Sequence, residues 1–140
     1  MNETIELKSG QQGYIEYKSS NPFEFYHILN ELDKAPEIDA QGWLIFPEKG
    51  KGPFPVIFCV HGSDNWAGHH HEHILNFLEA GFAIFSVHSF DSRGVASTVE
   101  DQMSVTAAMM LVDTFEALKI VSKHPDIDSS RIGITGWSLG

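Results

Sequence analysis

The sequence predicts an α/β fold in which a mostly parallel sheet is flanked by helices. Residues 56–60 are continuously apolar, which is typical of a strand buried on both faces of a parallel sheet. Between residues 103 and 121, apolar side chains recur at three- and four-residue steps, which indicates an amphipathic helix. The alternation of strands and helices continues to residues 131–140, where a short apolar strand runs into a Gly-x-Ser-x-Gly pattern.

The N-terminal region is predicted to supply short strands and an irregular segment. Polar and apolar residues alternate over residues 4–8 and 13–20, as in half-buried strands. In the second of these, Tyr14, Glu16 and Lys18 should share one face, and Ile15 and Tyr17 the other. Residues 21–40 are predicted to be irregular, with at most a short turn of helix. Several apolar side chains of this segment need cover: Phe23, Phe25, Tyr26, Ile28 and Leu29.

From Trp43 onward the predicted elements alternate regularly. They are a strand at 43–46, a loop at 47–53, a strand at 56–60, a helix from about 70 to 80, a strand at 82–87 and a polar loop at 88–96. The helix should carry Ile74, Leu75 and Leu78 on one face and end at Gly81.

The long helix is predicted to begin at a capping box formed by Ser97 and Glu100 and to end before Pro125. Its predicted buried face consists of Met103, Ala107, Met110, Leu111, Thr114, Leu118 and Val121. A polar turn at 126–130 then leads into a final strand at 132–135. We expect residues 1–140 to form the N-terminal part of one domain, with residues 1–41 supplying its first strands and the irregular segment.

Composition limits the possible functions. The formal net charge is −10, and no cluster of Lys and Arg is present, so nucleic acid and anionic membrane surfaces are not expected partners. The N-terminus lacks the basic and apolar regions of a signal peptide, and no apolar stretch is long enough to span a membrane, so a cytoplasmic location is expected. Cys59 lies in an apolar run and should be buried and unreactive.

The Gly-x-Ser-x-Gly pattern predicts a nucleophile elbow with Ser138 at its apex. Gly136 and Gly140 lie two residues to either side, where a side chain would crowd the turn, and Trp137 lies between Gly136 and Ser138. Ser138 should take a strained backbone conformation that lifts its hydroxyl clear of the sheet. The amide of Leu139, the residue after the nucleophile, is the expected first donor of an oxyanion hole.

The loop after the strand at 56–60 should supply the second oxyanion donor. It begins His61-Gly62-Ser63, and Gly62 would let it approach the elbow closely, so we assign the donor to the Ser63 amide. Arg93, in the next loop, would either pair with a nearby carboxylate or bind a substrate carboxylate, and the structural pairing is favoured.

A run of histidines near residue 70 has an alternative interpretation as a metal site. His69 and His73 are four residues apart and could present two imidazoles on one helix face. The run is not a His-Glu-x-x-His motif and has no evident third ligand. We therefore expect a solvated helix start and no metal.

Taken together, these motifs resemble the dienelactone hydrolase family of α/β-hydrolases, in its serine-nucleophile branch. The resemblance runs from about Trp43 to the end of the chain. The matching segments are Val60-His61-Gly62-Ser63, Val87-His88-Ser89-Phe90-Asp91-Ser92-Arg93-Gly94-Val95, Val99-Glu100-Asp101-Gln102, His124-Pro125-x-Ile127-Asp128 and Arg131-Ile132-Gly133-Ile134-Thr135-Gly136-Trp137-Ser138-Leu139-Gly140. The member that gives the family its name carries Cys where this chain has Ser138, and His88 stands where an acid is expected.

This resemblance implies a partial α/β-hydrolase fold, truncated after the nucleophile strand, in a protein that hydrolyses small-molecule esters or lactones through an acyl-enzyme without a cofactor. In this fold the triad follows the chain order Ser, Asp or Glu, then His, so the acid and the histidine are expected beyond Gly140. His61 and His124 are not expected to replace the missing base, and the chain alone should be inactive.

Two alternatives remain open from the sequence. One is a fragment of a prolyl-oligopeptidase-type peptidase, which shares the elbow. The other is an inactive fragment or pseudo-enzyme that acts by binding. The sequence does not indicate an oligomeric state.

Overall fold

The structure, a computed structural model, describes residues 5–140 and confirms the predicted α/β architecture. Its strands are β1 (Gly13–Ser20), β2 (Glu37–Ile45), β3 (Phe54–Val60), β4 (Ala83–Val87) and β5 (Ile127–Gly136), and its α-helices are α1 (Phe25–Asn30), α2 (Gly68–Glu79) and α3 (Ala107–Val121). The strands form one mixed five-stranded sheet in the order β1-β2-β4-β3-β5.

The parallel strands of the sheet are its most apolar ones. β3 pairs parallel with β4 on one side and with β5 on the other, whereas β1–β2 and β2–β4 are antiparallel pairs. Every residue of β4 is buried, as the uninterrupted apolar pattern predicts for a central parallel strand. Because β3, β4 and β5 run in the same direction, the loops that follow them meet at one edge of the sheet.

The alternation of side chains along β3 divides the core into two layers. Phe58 and Val60 belong to the larger cluster, which includes residues of α3, whereas Cys59 packs with Ile74 of α2 and Ile84 of β4. Cys59 is fully buried, and this burial raises the pKa of its thiol to about 12. The expected buried cysteine is therefore confirmed, and its thiolate is strongly disfavoured at neutral pH.

The N-terminal region differs from the prediction in three ways. Residues 5–8 form no strand, and Thr4, the start of that predicted strand, lies outside the described residues. The segment at 21–40 is more regular than predicted, since it contains α1, a 3₁₀ turn at Leu32–Lys34 and the start of β2. The β2 prediction began too late because pairing with β1 from Glu37 to Leu44 extends the strand beyond its apolar residues.

The apolar side chains of α1 do not find the predicted cover. Phe25 and Tyr26 are more than half exposed and Leu29 is 82% exposed. β1, in contrast, has the predicted bounds, and Ile15 and Tyr17, which were predicted to share one face, are both buried.

Both α2 and α3 differ from the predicted helices. α2 leaves Leu75 exposed, while Ile74 is buried. α3 begins at Ala107 rather than near Ser97, because the Thr106 hydroxyl caps it by accepting a hydrogen bond from the Met109 amide. Ser97 instead donates its hydroxyl to the Ser63 carbonyl, a long-range contact that the local pattern does not reveal.

The buried face of α3 overlaps the predicted one, since Met110, Thr114 and Val121 are buried, but it also includes residues outside the prediction. Ala108, Val112 and Ala117 are buried, whereas Leu111 is 38% exposed. Apolar residues surround most of this helix, so their spacing did not determine which face meets the sheet. Met103 precedes the helix and is exposed.

The last strand is longer than predicted and lies at the edge of the described sheet. β5 begins at Ile127 instead of 132, because Ile127 pairs with Phe54 before an irregularity in the ladder. Beside its apolar half lies a groove of about 410 Å³, bordered by α3. The apolar residues that line it include Leu111, Leu118, Ile132, Ile134 and Leu139. Within residues 5–140, no helix is long and apolar enough to cross a membrane.

Candidate active site

The loops after β3, β4 and β5 converge as the parallel sheet requires. The Trp137 amide donates to the Val60 carbonyl at 3.1 Å, which brings the end of β5 against the end of β3. The Asn65 side chain donates to Asp91 Oδ1 at 3.1 Å and so joins the loop after β3 to the loop after β4. The predicted nucleophile and the predicted oxyanion loop therefore lie side by side.

Ser138 adopts the backbone geometry expected of a nucleophile elbow. Its φ is +54°, a left-handed conformation that costs a non-glycine residue about 1–3 kcal/mol. The turn closes through a 3.0 Å hydrogen bond from the Gly140 amide to the Trp137 carbonyl. A Cβ at Gly136 would overlap the Gly140 carbonyl group, and a Cβ at Gly140 would overlap the Val60 carbonyl oxygen. The expected strain and the need for both glycines are thus present.

The loop at 61–65 approaches the elbow so closely that only glycine fits at position 62. A Cβ at Gly62 would lie 2.9 Å from the Trp137 carbonyl oxygen and 3.2 Å from Ser138 Cβ. Within residues 5–140, neither the Ser63 amide nor the Leu139 amide donates a hydrogen bond. Both predicted oxyanion donors therefore have no hydrogen-bond acceptor among the described residues.

No histidine of the described chain is hydrogen-bonded to the Ser138 hydroxyl. His124 uses both ring nitrogens elsewhere: Nε2 bonds to the Gln11 carbonyl at 2.9 Å and Nδ1 accepts from the Asp126 amide at 3.0 Å. His61 is fully buried, with Nδ1 bonded to the Gly62 carbonyl at 2.8 Å and with its ring against Phe90. Both rings thus have structural contacts that hold them in place.

Arg93 makes the structural pairing that the sequence analysis favoured. Its guanidinium binds both carboxylate oxygens of Asp113 on α3, at 2.6 and 3.0 Å, and donates to Asn21 Oδ1 at 2.7 Å. The Arg93 side chain is 7% exposed and that of Asp113 is fully buried. Ser19 also donates its hydroxyl to Asp113. Arg93 therefore anchors the loop after β4 to β1 and α3.

A second polar network, which was not predicted from the sequence, lies beside the predicted oxyanion loop. Asp91 Oδ2 bonds to His88 Nδ1 at 3.1 Å, and His88 Nε2 bonds to Ser86 Oγ at 3.2 Å. Burial lowers the pKa of His88 despite its acidic neighbour. Burial alone would raise the pKa of Asp91, but the hydrogen bonds from Asn65 and His88 outweigh it and lower this pKa overall. At neutral pH the network thus contains a neutral imidazole and an ionised carboxylate.

The histidine run is only partly a solvated helix start. His69 and His73 are exposed as predicted, but His70 is 3% exposed and lies beside Trp66 and Trp137. Its Nδ1 accepts a 3.0 Å hydrogen bond from the Ala67 amide and so caps the first turn of α2. Among residues 5–140, no group of three or more His, Cys, Asp or Glu side chains is arranged to hold a metal ion.

Three buried or partly buried histidines predict how stability depends on pH. Burial lowers the pKa values of His61, His70 and His88 below their ordinary value of 6.5. The unfolded chain therefore binds more protons below pH 6.5 than the folded chain does, so stability is fully present above this pH and falls as the pH drops below it. Urea unfolding should show a lower midpoint at about pH 5.5 than at about pH 7.5. The difference should shrink in His70→Gln, whereas an unchanged difference would exclude His70 as a contributor.

Comparisons with known structures identify the fold as that of the α/β-hydrolases. A protein from Klebsiella pneumoniae subsp. pneumoniae MGH 78578 described as a dienelactone hydrolase superposes with a TM-score of 0.62 at 17% identity, over 91% of this chain and 51% of that one. Acetyl xylan esterase 1 from Thermoanaerobacterium sp. JW/SL YS485 superposes with a TM-score of 0.54 at 21% identity, over 73% of this chain and 37% of that one. The described chain thus has part of a dienelactone hydrolase-type α/β-hydrolase fold, as the sequence resemblance implied.

A comparison of sequences finds similarity to a protein described as a peptidase. The chain is 29% identical over 126 residues to YuxL of Bacillus subtilis strain 168, an uncharacterized peptidase, and this match covers 81% of the chain and 18% of YuxL. No family model matches the chain. The chain spans about half the length of the dienelactone hydrolase-type structure and less than a fifth of YuxL.

Proposed function

We propose that the full-length natural protein containing this chain is a serine hydrolase that cleaves small carboxylic esters or lactones through an acyl-enzyme on Ser138. The observation that carries the proposal is the left-handed Ser138, with φ of +54°, next to two amides that donate no hydrogen bond within the described residues. A strained serine at the end of a parallel strand beside free amides is the arrangement that acyl transfer needs.

In the proposed reaction, Ser138 Oγ attacks the acyl carbon while the carbonyl oxygen becomes negatively charged. The amides of Ser63 and Leu139 then donate hydrogen bonds to this oxyanion. A histidine, oriented by an acid, would take the proton from Ser138 and return it to the departing alcohol, and it would later activate the water that releases the acid. Because both groups follow the nucleophile in the chain order of this fold, the proposal assigns them to the part of the protein after residue 140. The chemistry requires no cofactor.

Replacing the nucleophile tests the proposal directly. In the full-length natural protein, Ser138→Ala should lower kcat for p-nitrophenyl acetate by at least about a thousandfold, because no nucleophile remains beside the oxyanion donors. Ser129→Ala, which changes an exposed serine on the same strand, is the matched control and should leave kcat unchanged. Turnover that survives in Ser138→Ala would contradict the proposal.

The 140-residue chain offers a further comparison. Its turnover should equal that of its own Ser138→Ala variant, because the Ser138 hydroxyl has no hydrogen-bond partner among residues 5–140 to act as a base. A clear difference between the two would show that a residue of this chain activates Ser138.

A peptidase is the second candidate, and the similarity to YuxL favours it. The elbow and the oxyanion donors would serve amide hydrolysis equally well, so the two candidates differ only in the bond that is cleaved. Comparing kcat/KM for a p-nitrophenyl ester with that for an aminoacyl p-nitroanilide, in the full-length protein, separates them.

A further inference from the structure

The peptide between Gly62 and Ser63 carries the proposed second oxyanion donor, so its orientation determines where the donor points. In a trans peptide the carbonyl and the N–H point in opposite directions. The Gly62 carbonyl accepts a 3.1 Å hydrogen bond from the Asn65 amide, which closes a tight turn, and it also bonds to His61 Nδ1 at 2.8 Å. Holding this carbonyl on the side of Asn65 therefore keeps the Ser63 N–H on the opposite side of the peptide.

Asn65 has a left-handed backbone conformation in this turn. Its φ is +67°, in a region that asparagine enters more readily than most other non-glycine residues. Both ends of its side-chain amide are engaged. Oδ1 accepts from the Trp66 amide at 2.8 Å, and Nδ2 donates to Asp91 Oδ1 at 3.1 Å. The Asp91 contact is the one that comes from another loop.

Asp91 is itself anchored to the sheet. Its second carboxylate oxygen bonds to His88 Nδ1 at 3.1 Å, and His88 Nε2 bonds to Ser86 Oγ at 3.2 Å. Ser86 lies on the fully buried strand β4. A continuous series of hydrogen bonds therefore runs from β4 through His88 and Asp91 to the Asn65 side chain. The Asp91 side chain remains 49% exposed, so its removal opens no core cavity.

We propose that Asp91 is a positioning residue for the oxyanion hole: through Asn65 it holds the Gly62–Ser63 peptide in the orientation that presents the Ser63 amide. This inference rests on the proposed function and deepens it. Asp91 acts only through Asn65, since within the described residues it makes no hydrogen bond to the elbow.

Steady-state hydrolysis of p-nitrophenyl acetate by the full-length natural protein tests the role. Asp91→Ala should lower kcat on the order of tenfold and leave KM within about twofold, because oxyanion contacts strengthen in the transition state and loss of orientation costs less than loss of a donor. Asp91→Asn keeps a side-chain oxygen that can accept from Asn65, so it should restore most of kcat. Asp33→Ala removes an exposed carboxylate from the Leu32–Lys34 turn and should change neither constant.

A double variant separates positioning from independent effects. If Asp91 acts through Asn65, Asn65→Ala combined with Asp91→Ala should be no slower than Asn65→Ala alone. Additive losses in kcat, a rise in KM at unchanged kcat, or wild-type kinetics in Asp91→Ala would each overturn the inference.

Ser138→Ala, assayed in parallel, distinguishes the failure of this inference from the failure of the proposed function. If it is inactive while Asp91→Ala behaves as wild type, only the positioning role fails, and if it is fully active, the proposed function fails and this inference fails with it.

Discussion

Arg93→Met is expected to destabilise the protein by about 3–5 kcal/mol, a large part of a typical net stability of about 5–15 kcal/mol. The substitution leaves the Asp113 carboxylate fully buried without the guanidinium that binds both of its oxygens. It also removes the hydrogen bonds that Arg93 donates to Asn21 Oδ1 and to the Ser89 carbonyl. Urea unfolding followed by circular dichroism should show a midpoint shift of the corresponding size.

The chain provides a matched control for this experiment. Arg131 pairs with Asp128 at 2.6 Å, but its side chain is 59% exposed, so Arg131→Met should cost less than about 1 kcal/mol. Equal effects of the two substitutions would show that burial does not determine the contribution of the Arg93 pair. Asp113→Asn in the Arg93→Met background should recover part of the stability, because it removes the unpaired buried charge.

The parallel strands and the elbow could be predicted because their signals are local. The apolar run that became β3 and the glycines around Ser138 each reflect the packing of a few adjacent residues. The partner of Arg93 could not be predicted in the same way. Asp113 lies twenty residues further along, and nothing local shows that α3 packs against this loop. The available signal was Asp113 itself, an acidic residue among apolar residues of the predicted helix, which indicates a buried carboxylate that needs a partner.

Tertiary contacts also explain the error at the start of α3 and why the hydrogen bonds among Asn65, Asp91 and His88 were not predicted. Ser97 and Thr106 both resemble N-caps, but the Ser97 hydroxyl is bonded to the Ser63 carbonyl, so Thr106 caps the helix. Asn65 and Asp91 belong to different loops, and the sheet topology alone brings them together. Residues that hold a site in place from another loop leave little trace in a single sequence.

The 140-residue chain is expected to self-associate through β5 and the groove beside it. β5 presents unpaired backbone groups at the edge of the described sheet, and Ile134, which lines the groove, is 67% exposed. Burying one such side chain stabilises a complex by about 1.5–3 kcal/mol, so Ile134→Lys should weaken association by roughly tenfold to a hundredfold. Sedimentation equilibrium over a range of concentrations measures this change.

Leu29→Lys controls for the loss of an exposed apolar side chain in general. Leu29 is 82% exposed on α1 and is not part of the groove lining, so its replacement should leave the association constant unchanged. A chain that sediments as a monomer at every concentration, or equal effects of the two substitutions, would contradict a role for β5.

The buried thiol of Cys59 can be used to measure local opening of the layer formed by α2. Cys59 is the single cysteine of the sequence and packs beneath Ile74 of α2, in the same cluster as Trp137 of the elbow. An alkylating reagent in solution can reach its sulfur only after this layer separates from the sheet, because the thiol is fully covered in the closed state. The rate of alkylation under native conditions therefore measures how often the packing beneath Ser138, the predicted nucleophile, opens locally. This local opening is measured separately from unfolding of the whole chain.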